Sequence, residues 1–245
     1  MSHDADTTKP GLPHLPQPDL RLRQFTPADL DALLDMHADG RIRAFLLEDE
    51  DFTDRRTVQR FLIGLGAYYR RHPGLGFWAL ERQESRHTDE SLQEAGLMDL
   101  LEEPSVQRLR EPRWRLIGWY NVTPVPHDPV NVEAGARLHP SVWGSTVVSV
   151  VAEQVIRHAL HDLGRPRLGL YCDPANRSAL YRAAYLGFSA ARETVHSGKP
   201  AIEMWIDTQR HESWLTLPHT TRKREAMHLC RSLLAQREDS LEQLA

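Results

Sequence analysis

The sequence predicts a mixed α/β fold in which a mostly antiparallel sheet is flanked by helices. Three observations support this prediction. Apolar residues recur at helical spacing in two segments before residue 73, and they then alternate as in strands over three successive segments between residues 76 and 139. From residue 145 to residue 207, helical and extended segments follow each other in turn. The three successive strands favour an antiparallel meander.

Composition limits the classes of protein to which the chain can belong. Its 245 residues are 40% hydrophobic and 26% charged, which suits one large domain with extensions or two small domains. The net charge of -4 and the pI near 6.3 argue against nucleic-acid or membrane-surface partners, which require a basic excess. Cys172 and Cys230 stand alone, without the spacing of a disulfide framework or a zinc site. A reducing cytoplasm is therefore the expected location.

The ends of the chain differ from its centre. Residues 1–18 are polar and proline-rich without an apolar signal core, so we expect a flexible leader and neither secretion nor a membrane span. Residues 19–207 are expected to form one folded domain with a charged insertion at 84–112, and residues 208–245 a helical extension.

The first elements carry recognisable start signals. The stretch "LRLRQFT" (20–26) predicts a half-exposed strand. Thr26 is placed to cap a helix whose first residue is Pro27, and Thr53 is placed to cap a second helix that "HPG" (72–74) ends.

The meander follows these helices. Its predicted strands are "GFWALERQ" (76–83), "WRLIGWYNV" (114–122) and "VNVEAGARLH" (130–139). In the insertion between the first two, Ser91 and Glu94 form a capping box for a short helix that Pro104 ends.

The remaining elements alternate. A helix is predicted over 145–163, and it is followed by a strand at 167–173, a helix that Gly187 ends, and two strands that finish near residue 207. The tail carries an apolar stripe that must be covered, either by its own domain or by a second copy in a dimer. The stripe consists of Met227, Cys230, Leu234, Leu241 and Leu244.

The stretch "GARLHPSVWGSTVV" (135–148) predicts a strand, a tight turn with glycine, and a helix start. Such a junction gathers free backbone amides at the positive end of a helix dipole, where proteins bind phosphate groups. By contrast, His158, His161 and Asp162 have a spacing compatible with a metal, but a solvated helix face is the favoured interpretation and no metal site is predicted.

Several stretches in order resemble the GNAT superfamily of acetyl-CoA-dependent N-acetyltransferases, and in particular its ribosomal-protein N-acetyltransferase (RimJ/RimL-like) branch. The resemblance covers roughly residues 20 to 206. It rests on "LRLRQFTPADLDAL", "GFWALE", "RLIGWYNV", "EAGARLHPSVWG" and "HALHDLGRPRLGLYCDPANRSALYRAAYLGF".

The resemblance implies a GNAT acyltransferase fold whose sheet is splayed between strands 4 and 5, with acetyl-CoA bound in the gap. Its pantetheine would pair with strand 4, its pyrophosphate would lie against the following loop, and Asn176 would contact the pantetheine arm. The implied strand positions are Ala136, Arg137, Leu138 and His139, and the implied loop positions are Val142, Trp143, Gly144, Ser145, Thr146 and Val147.

The implied activity is acetyl transfer to a primary amine. Glu133 matches the family's strand glutamate and is the candidate general base, and Ser178 is the candidate acid. A protein α-amine, with a pKa near 8, is the first expected acceptor, and a small-molecule amine such as an aminoglycoside or a polyamine is the second. Thr146 stands where the family usually has a second loop glycine, and Ala183 stands where many relatives have the tyrosine that acts as general acid. A non-catalytic binding module is therefore the alternative.

Overall fold

The computed structural model describes residues 11–48, 50–84, 93–100, 102–103 and 113–242. These residues form one seven-stranded sheet of order β1-β2-β3-β4-β5-β7-β6. Every neighbouring pair of strands is antiparallel except β4 and β5, which are parallel. The predicted mixed α/β fold with a mostly antiparallel sheet is confirmed. The strands are β1 (Leu20–Gln24), β2 (Gly76–Glu84), β3 (Arg113–Val125), β4 (Asp128–Leu138), β5 (Arg167–Cys172), β6 (Ser189–His196) and β7 (Lys199–Asp207).

Helices cover both faces of the sheet. One face carries α1 (Leu30–Ala38), α2 (Gly40–Arg43) and α3 (Arg55–Arg71). The other face carries α4 (Thr146–Arg157), which continues as a π-helical turn (His158–Asp162), and α5 (Arg177–Tyr185). The chain then forms α6 (Thr208–Leu215) and α7 (His219–Glu242), and single 3-10 turns lie at Pro27–Asp29, Met98–Leu100 and Pro140–Val142.

Strand alternation divides the core between the two faces. Trp119 is 2% exposed and packs under α1 to α3, whereas its neighbour Tyr120 belongs to the larger cluster under α4 and α5. Because side chains alternate along a strand, each strand residue can be assigned to one of these two faces.

Gly118 allows β3 and β4 to approach each other closely. Its φ is +145°, and a Cβ there would lie 2.5 Å from the carbonyl oxygen of Arg137 and 2.8 Å from the Cα of Leu138. Any side chain at this position would force the two strands apart at the end of β4.

Two local predictions need correction. The N-cap of α3 is Asp54, whose carboxylate accepts from the amide of Thr57 at 2.8 Å, whereas Thr53 bonds back to Asp51. Thr53 was the predicted cap because its hydroxyl has the right chemistry, but it lies one residue too early. Of the predicted insertion helix, Ser91 and Pro104 lie outside the described residues.

The C-terminal helix packs against its own domain. Ala226 and Leu233 are buried in the larger core cluster, and Cys230 packs against it. Met227, which belongs to the predicted stripe, is 39% exposed, so that part of the prediction is wrong: the buried face of α7 lies one residue earlier on the helix. The structure describes only the backbone of Leu234 and Leu241, and Leu244 lies outside the described residues. None of the described helices is both long and apolar enough to cross a membrane.

Candidate functional site

The parting of β4 and β5 creates an open strand edge at the centre of the sheet. The two strands pair only at Val132 with Leu168 and at Glu133 with Gly169. From Ala134 to Leu138, the β4 edge that faces β5 has no strand partner among the described residues, while the opposite edge is paired with β3. Half of the main-chain groups of this segment are therefore available to an extended ligand, as in β-strand addition.

The loop after β4 uses part of its hydrogen-bonding capacity internally. The amides of Val142, Trp143 and Ser145 donate to loop carbonyl oxygens at 3.1, 3.1 and 3.2 Å. Of the predicted pyrophosphate cradle at 142–147, this leaves the amides of Gly144, Thr146 and Val147 for a ligand.

The start of α4 is uncapped. Ser145 occupies the N-cap position, but its hydroxyl donates to the carbonyl oxygen of Val142 at 2.6 Å instead of accepting from the first turn. The first-turn amides of a helix have no intrahelical acceptor, so they remain suited to an anion. Gly144 has φ +75° and no atom within 4 Å of its Cβ position, and the side chain of Thr146 is exposed.

Trp143 and His139 hold the loop in place. The indole N–H of Trp143 donates to the carbonyl oxygen of Leu138 at 2.8 Å, although 47% of the residue is exposed. The Nδ1 atom of His139 accepts from the amide of Ser141 at 3.1 Å and so caps the 3-10 turn. These contacts give both side chains a structural role in shaping the loop.

Asn176 and Ser178 lie at the start of α5. The Oδ1 atom of Asn176 accepts from the amide of Ala179 at 3.1 Å, which caps the helix and leaves Nδ2 as a free donor among the described residues. Ser178 is exposed in the first turn, and its hydroxyl has no hydrogen-bond partner in the described part of the chain.

Glu133 points from β4 towards α1 to α3, because Trp119 lies on that face opposite Arg137 and side chains alternate along β4. The hydroxyl of Thr123 donates weakly to its Oε1 at 3.4 Å. Its Oε2 is buried and has no partner among the described residues. Burial raises the pKa of Glu133, the Thr123 hydrogen bond opposes this, and the negative charge of Glu48 raises it further.

Arg137 also lies on this face, with its side chain directed away from the gap. It is 9% exposed, and its guanidinium carbon lies 4.6 Å from the ring centre of Phe52 and 5.0 Å from that of Trp119. NH1 lies 3.4 Å from Nε2 of His37, and NH2 donates to Oε2 of Glu48 at 3.3 Å. Only the main chain of Arg137 therefore remains a candidate for coenzyme pairing.

His37 accepts from Arg137 because it is neutral. Its Nδ1 lies 2.7 Å from the carbonyl oxygen of Leu33 and so carries the proton, which leaves Nε2 as an acceptor. Burial lowers the pKa of His37 to about 4, and the positive charge of Arg137 contributes in the same direction.

A cavity of about 250 Å³ opens beside His37, between the segment that joins α2 to α3 and Lys199 at the start of β7. In the sequence, the segment that joins α2 to α3 carries the acidic run "EDED" at 48–51. The cavity is lined by His37, Arg43, Leu46, Glu48, Glu50, Asp51, Phe52 and Lys199.

Three further titratable side chains, Tyr171, Tyr68 and Cys172, were given no functional role from the sequence. The hydroxyl of Tyr171 donates to Glu203 at 3.1 Å, and burial raises its pKa to about 12. The hydroxyl of Tyr68 is buried without a partner among the described residues; this burial raises its pKa, and the charge of Glu133 adds to the rise. Burial also raises the pKa of Cys172 to about 12, so this thiol is a poor nucleophile.

The predicted solvated histidine face of the long helix is partly wrong. His158 is 2% exposed, and its Nε2 lies 2.8 Å from the carbonyl oxygen of Gly74. His161 pairs with His211 at 3.0 Å. No cluster of three metal-ligating side chains occurs in the part of the chain that the structure describes.

Comparisons with known proteins agree with this architecture. The acetyltransferase (GNAT) domain family matches the chain over residues 19–189. A mycothiol acetyltransferase of Thermomonospora curvata is 32% identical over 124 residues, which is 51% of this chain and only 38% of that protein.

Solved structures show the same fold at low identity. RimJ of Mycobacterium smegmatis in complex with CoA-disulfide has a TM-score of 0.56 at 12% identity, over 83% of this chain and 87% of that chain. AAC(6')-Ib in complex with ribostamycin and coenzyme A has a TM-score of 0.56 at 15% identity, over 79% of this chain and 96% of that chain. These two structures do not assign the predicted branch, but the family match covers most of the chain. The chain therefore belongs to the GNAT acetyltransferase family.

Proposed function

We propose that this protein transfers the acetyl group of acetyl-CoA to a primary amine, and that the acceptor is the α-amine of a protein N-terminus. The observation that carries the proposal is the position of Glu133. Glu133 is the last residue at which β4 still pairs with β5, and one oxygen of its carboxylate is buried with no hydrogen-bond partner in the described part of the chain. A buried carboxylate oxygen therefore lies where the sheet opens, and this supports the proposal.

Acetyl-CoA fits the groups around the gap. The free β4 edge at 134–138 suits the amides of a pantetheine arm, and the Nδ2 of Asn176 is an available donor. The amides of Gly144, Thr146 and Val147 suit a diphosphate at a helix N-terminus. When bound, the thioester supplies the activated acetyl group, and the chain binds and orients it.

Glu133 is the proposed general base. An amine must lose a proton to attack the thioester, and Oε2 of Glu133 is the atom proposed to take it. A raised pKa brings a carboxylate closer to the operating pH and makes it a better proton acceptor than an exposed glutamate.

Ser178 is the proposed donor to the departing thiolate, because it is exposed in the first turn of α5, next to the Asn176 cap. The demand on this donor is small. A thiol has a pKa near 8.5, so the thiolate can also leave with the help of solvent.

An α-amine is favoured over a lysine side chain by the same pKa argument. Its pKa is about 8, compared with about 10.4 for lysine, so a carboxylate base removes its proton more easily. An α-amine and a lysine amine therefore require different basicities of Glu133.

The test is thiol release from acetyl-CoA with three acceptors: a short peptide with a free N-terminal alanine and an internal lysine, the same peptide with a blocked N-terminus, and spermidine. We expect rapid release with the first peptide only, and mass spectrometry should locate the acetyl group on its α-amine. Transfer to spermidine alone would replace the protein acceptor with a small molecule. No release with any amine would contradict the catalytic proposal and favour a binding module.

A further inference from the structure

Arg182 bridges the two helices on the face of the sheet that carries α4 and α5. It lies in the last turn of α5, and its Nη1 atom donates to the hydroxyl of Ser149 on α4. The residue is half-buried, and its Nε and Nη2 atoms have no partner among the described residues but are not buried. One donor is therefore fixed, and the other donors are available to a ligand.

The charge of Arg182 is not balanced by the protein around it. Arg182 makes no ion pair with a carboxylate in the described part of the chain. Its partner Ser149 is the fourth residue of α4, so the cation lies beside the positive end of that helix dipole. A cation is disfavoured at this end of a helix, whereas an anion is favoured. The arrangement therefore lacks the negative charge that would stabilise it.

This cation lies above the free edge of β4. Tyr120 on β3 is opposite Ala136, in the middle of the segment that has no partner on the β5 side among the described residues. The Tyr120 hydroxyl donates to the carbonyl oxygen of Val148 at 2.9 Å, which fixes the first turn of α4 over that point. Ser149 follows directly, so its contact holds Arg182 there. Burial raises the pKa of Tyr120, and the positive charge of Arg182 opposes this rise.

Arg182 and the loop amides complement each other. The amides of Gly144, Thr146 and Val147 are neutral donors at the start of α4. Arg182 adds a full positive charge at the same helix end, and a guanidinium group matches the geometry of phosphate oxygens. The two sets of donors together suit a diphosphate better than either set alone.

We infer that Arg182 binds the diphosphate of acetyl-CoA and that it determines the affinity of the protein for donors that carry this group. This inference rests on the proposed function, because it uses the same gap between β4 and β5. Ser149 orients the guanidinium before the coenzyme arrives, which lowers the cost of ordering a long side chain on binding.

The test is calorimetric binding of acetyl-CoA and of its 3′-dephospho form to the full-length wild type and three variants. Arg182→Met removes the cation. Ser149→Ala breaks the same hydrogen bond but keeps the cation. Arg157→Met removes an exposed cation that has no hydrogen bond or ion pair among the described residues and lies at the other end of α4, about 16 Å along the helix.

The three variants have different expected affinities. Loss of a charge-assisted hydrogen bond should raise the Kd of Arg182→Met by about 10- to 100-fold for both ligands, because both carry the diphosphate. Ser149→Ala should raise the Kd by no more than about fivefold, and Arg157→Met should leave it within about twofold. Added KCl should weaken binding to the wild type more steeply than binding to Arg182→Met, because only the wild type has this charge.

An unchanged Kd in Arg182→Met, or an equal rise in Ser149→Ala, would overturn the inference while the proposed function stands. A rise confined to acetyl-CoA would assign Arg182 to the 3′-phosphate and would also overturn it. A wild-type protein that does not bind acetyl-CoA would overturn the proposed function and this inference together. The expected Kd values in a wild type that releases no thiol with any amine would support the inference and overturn the proposed catalysis alone.

Discussion

Replacement of Glu133 by glutamine should affect catalysis and stability in opposite directions. The amide has the shape of the carboxylate and keeps an oxygen for the Thr123 hydroxyl, which donates over 3.4 Å. It removes the only feature that the proposed mechanism requires of this residue, which is a site for a proton.

The catalytic loss follows from the role of a general base. Such a group contributes about 100- to 10,000-fold, and a hundredfold loss in kcat/KM corresponds to about 2.7 kcal/mol of transition-state stabilisation. We expect a loss at the lower end of this range, because solvent remains available to accept the proton.

The effect on stability has the opposite sign. Burial raises the pKa of Glu133 in the folded state, so this group favours folding most below the unfolded value of 4.5, and that contribution is lost as the pH rises through the folded pKa. At neutral pH, the ionised side chain therefore opposes folding, and Glu133→Gln should be at least as stable as the wild type.

The assay is thiol release at saturating acetyl-CoA, together with urea unfolding at neutral pH. Turnover within twofold of the wild type would remove Glu133 from the base role. A variant that loses both activity and stability would show that Glu133 holds the fold, which would refute the reasoning.

Three further predictions concern the loop, the strand pair and acid stability. Gly144→Ala should weaken acetyl-CoA binding in calorimetry and cost about 1–2 kcal/mol in urea unfolding, because φ is +75° there; unchanged binding would remove the loop from the coenzyme site. Gly118→Ala should lower the unfolding free energy by about 2 kcal/mol or more, since its Cβ would lie 2.5 Å from the carbonyl oxygen of Arg137; a variant as stable as the wild type would show that the strands can separate freely. Burial lowers the pKa of His37 and of His211 to about 4. The folded state is therefore not destabilised by these groups above the unfolded pKa of 6.5, and it loses stability as the pH falls towards 4, by about 3 kcal/mol for His37. Urea unfolding at several pH values between 7 and 4.5 measures this loss, and a flat profile would contradict it.

The elements of this fold could be predicted from the sequence because each depends on local chemistry. The strand period marks β2 to β4, and the order of motifs identifies the junction around Gly144. Errors occur where one residue decides the outcome. Thr53 and Asp54 are both good caps, and only the backbone path shows which side chain reaches the amide of Thr57.

The burial of Arg137 could not be predicted in this way. Arg137 is a strand residue whose burial depends on Phe52 and Trp119, which come together only in the folded sheet. The α7 stripe shows the same limit. Its period predicts a helix, but the partner surface determines that Ala226 rather than Met227 is buried.

The binding of acetyl-CoA in the gap between β4 and β5 is the claim on which the mechanism depends, and thermal unfolding with added acetyl-CoA tests it most directly. At about 100 times its dissociation constant, the ligand should add about 2.7 kcal/mol to the stability of the wild type, and clearly less to that of Gly144→Ala at the same concentration. A midpoint that does not move at any acetyl-CoA concentration would contradict the account.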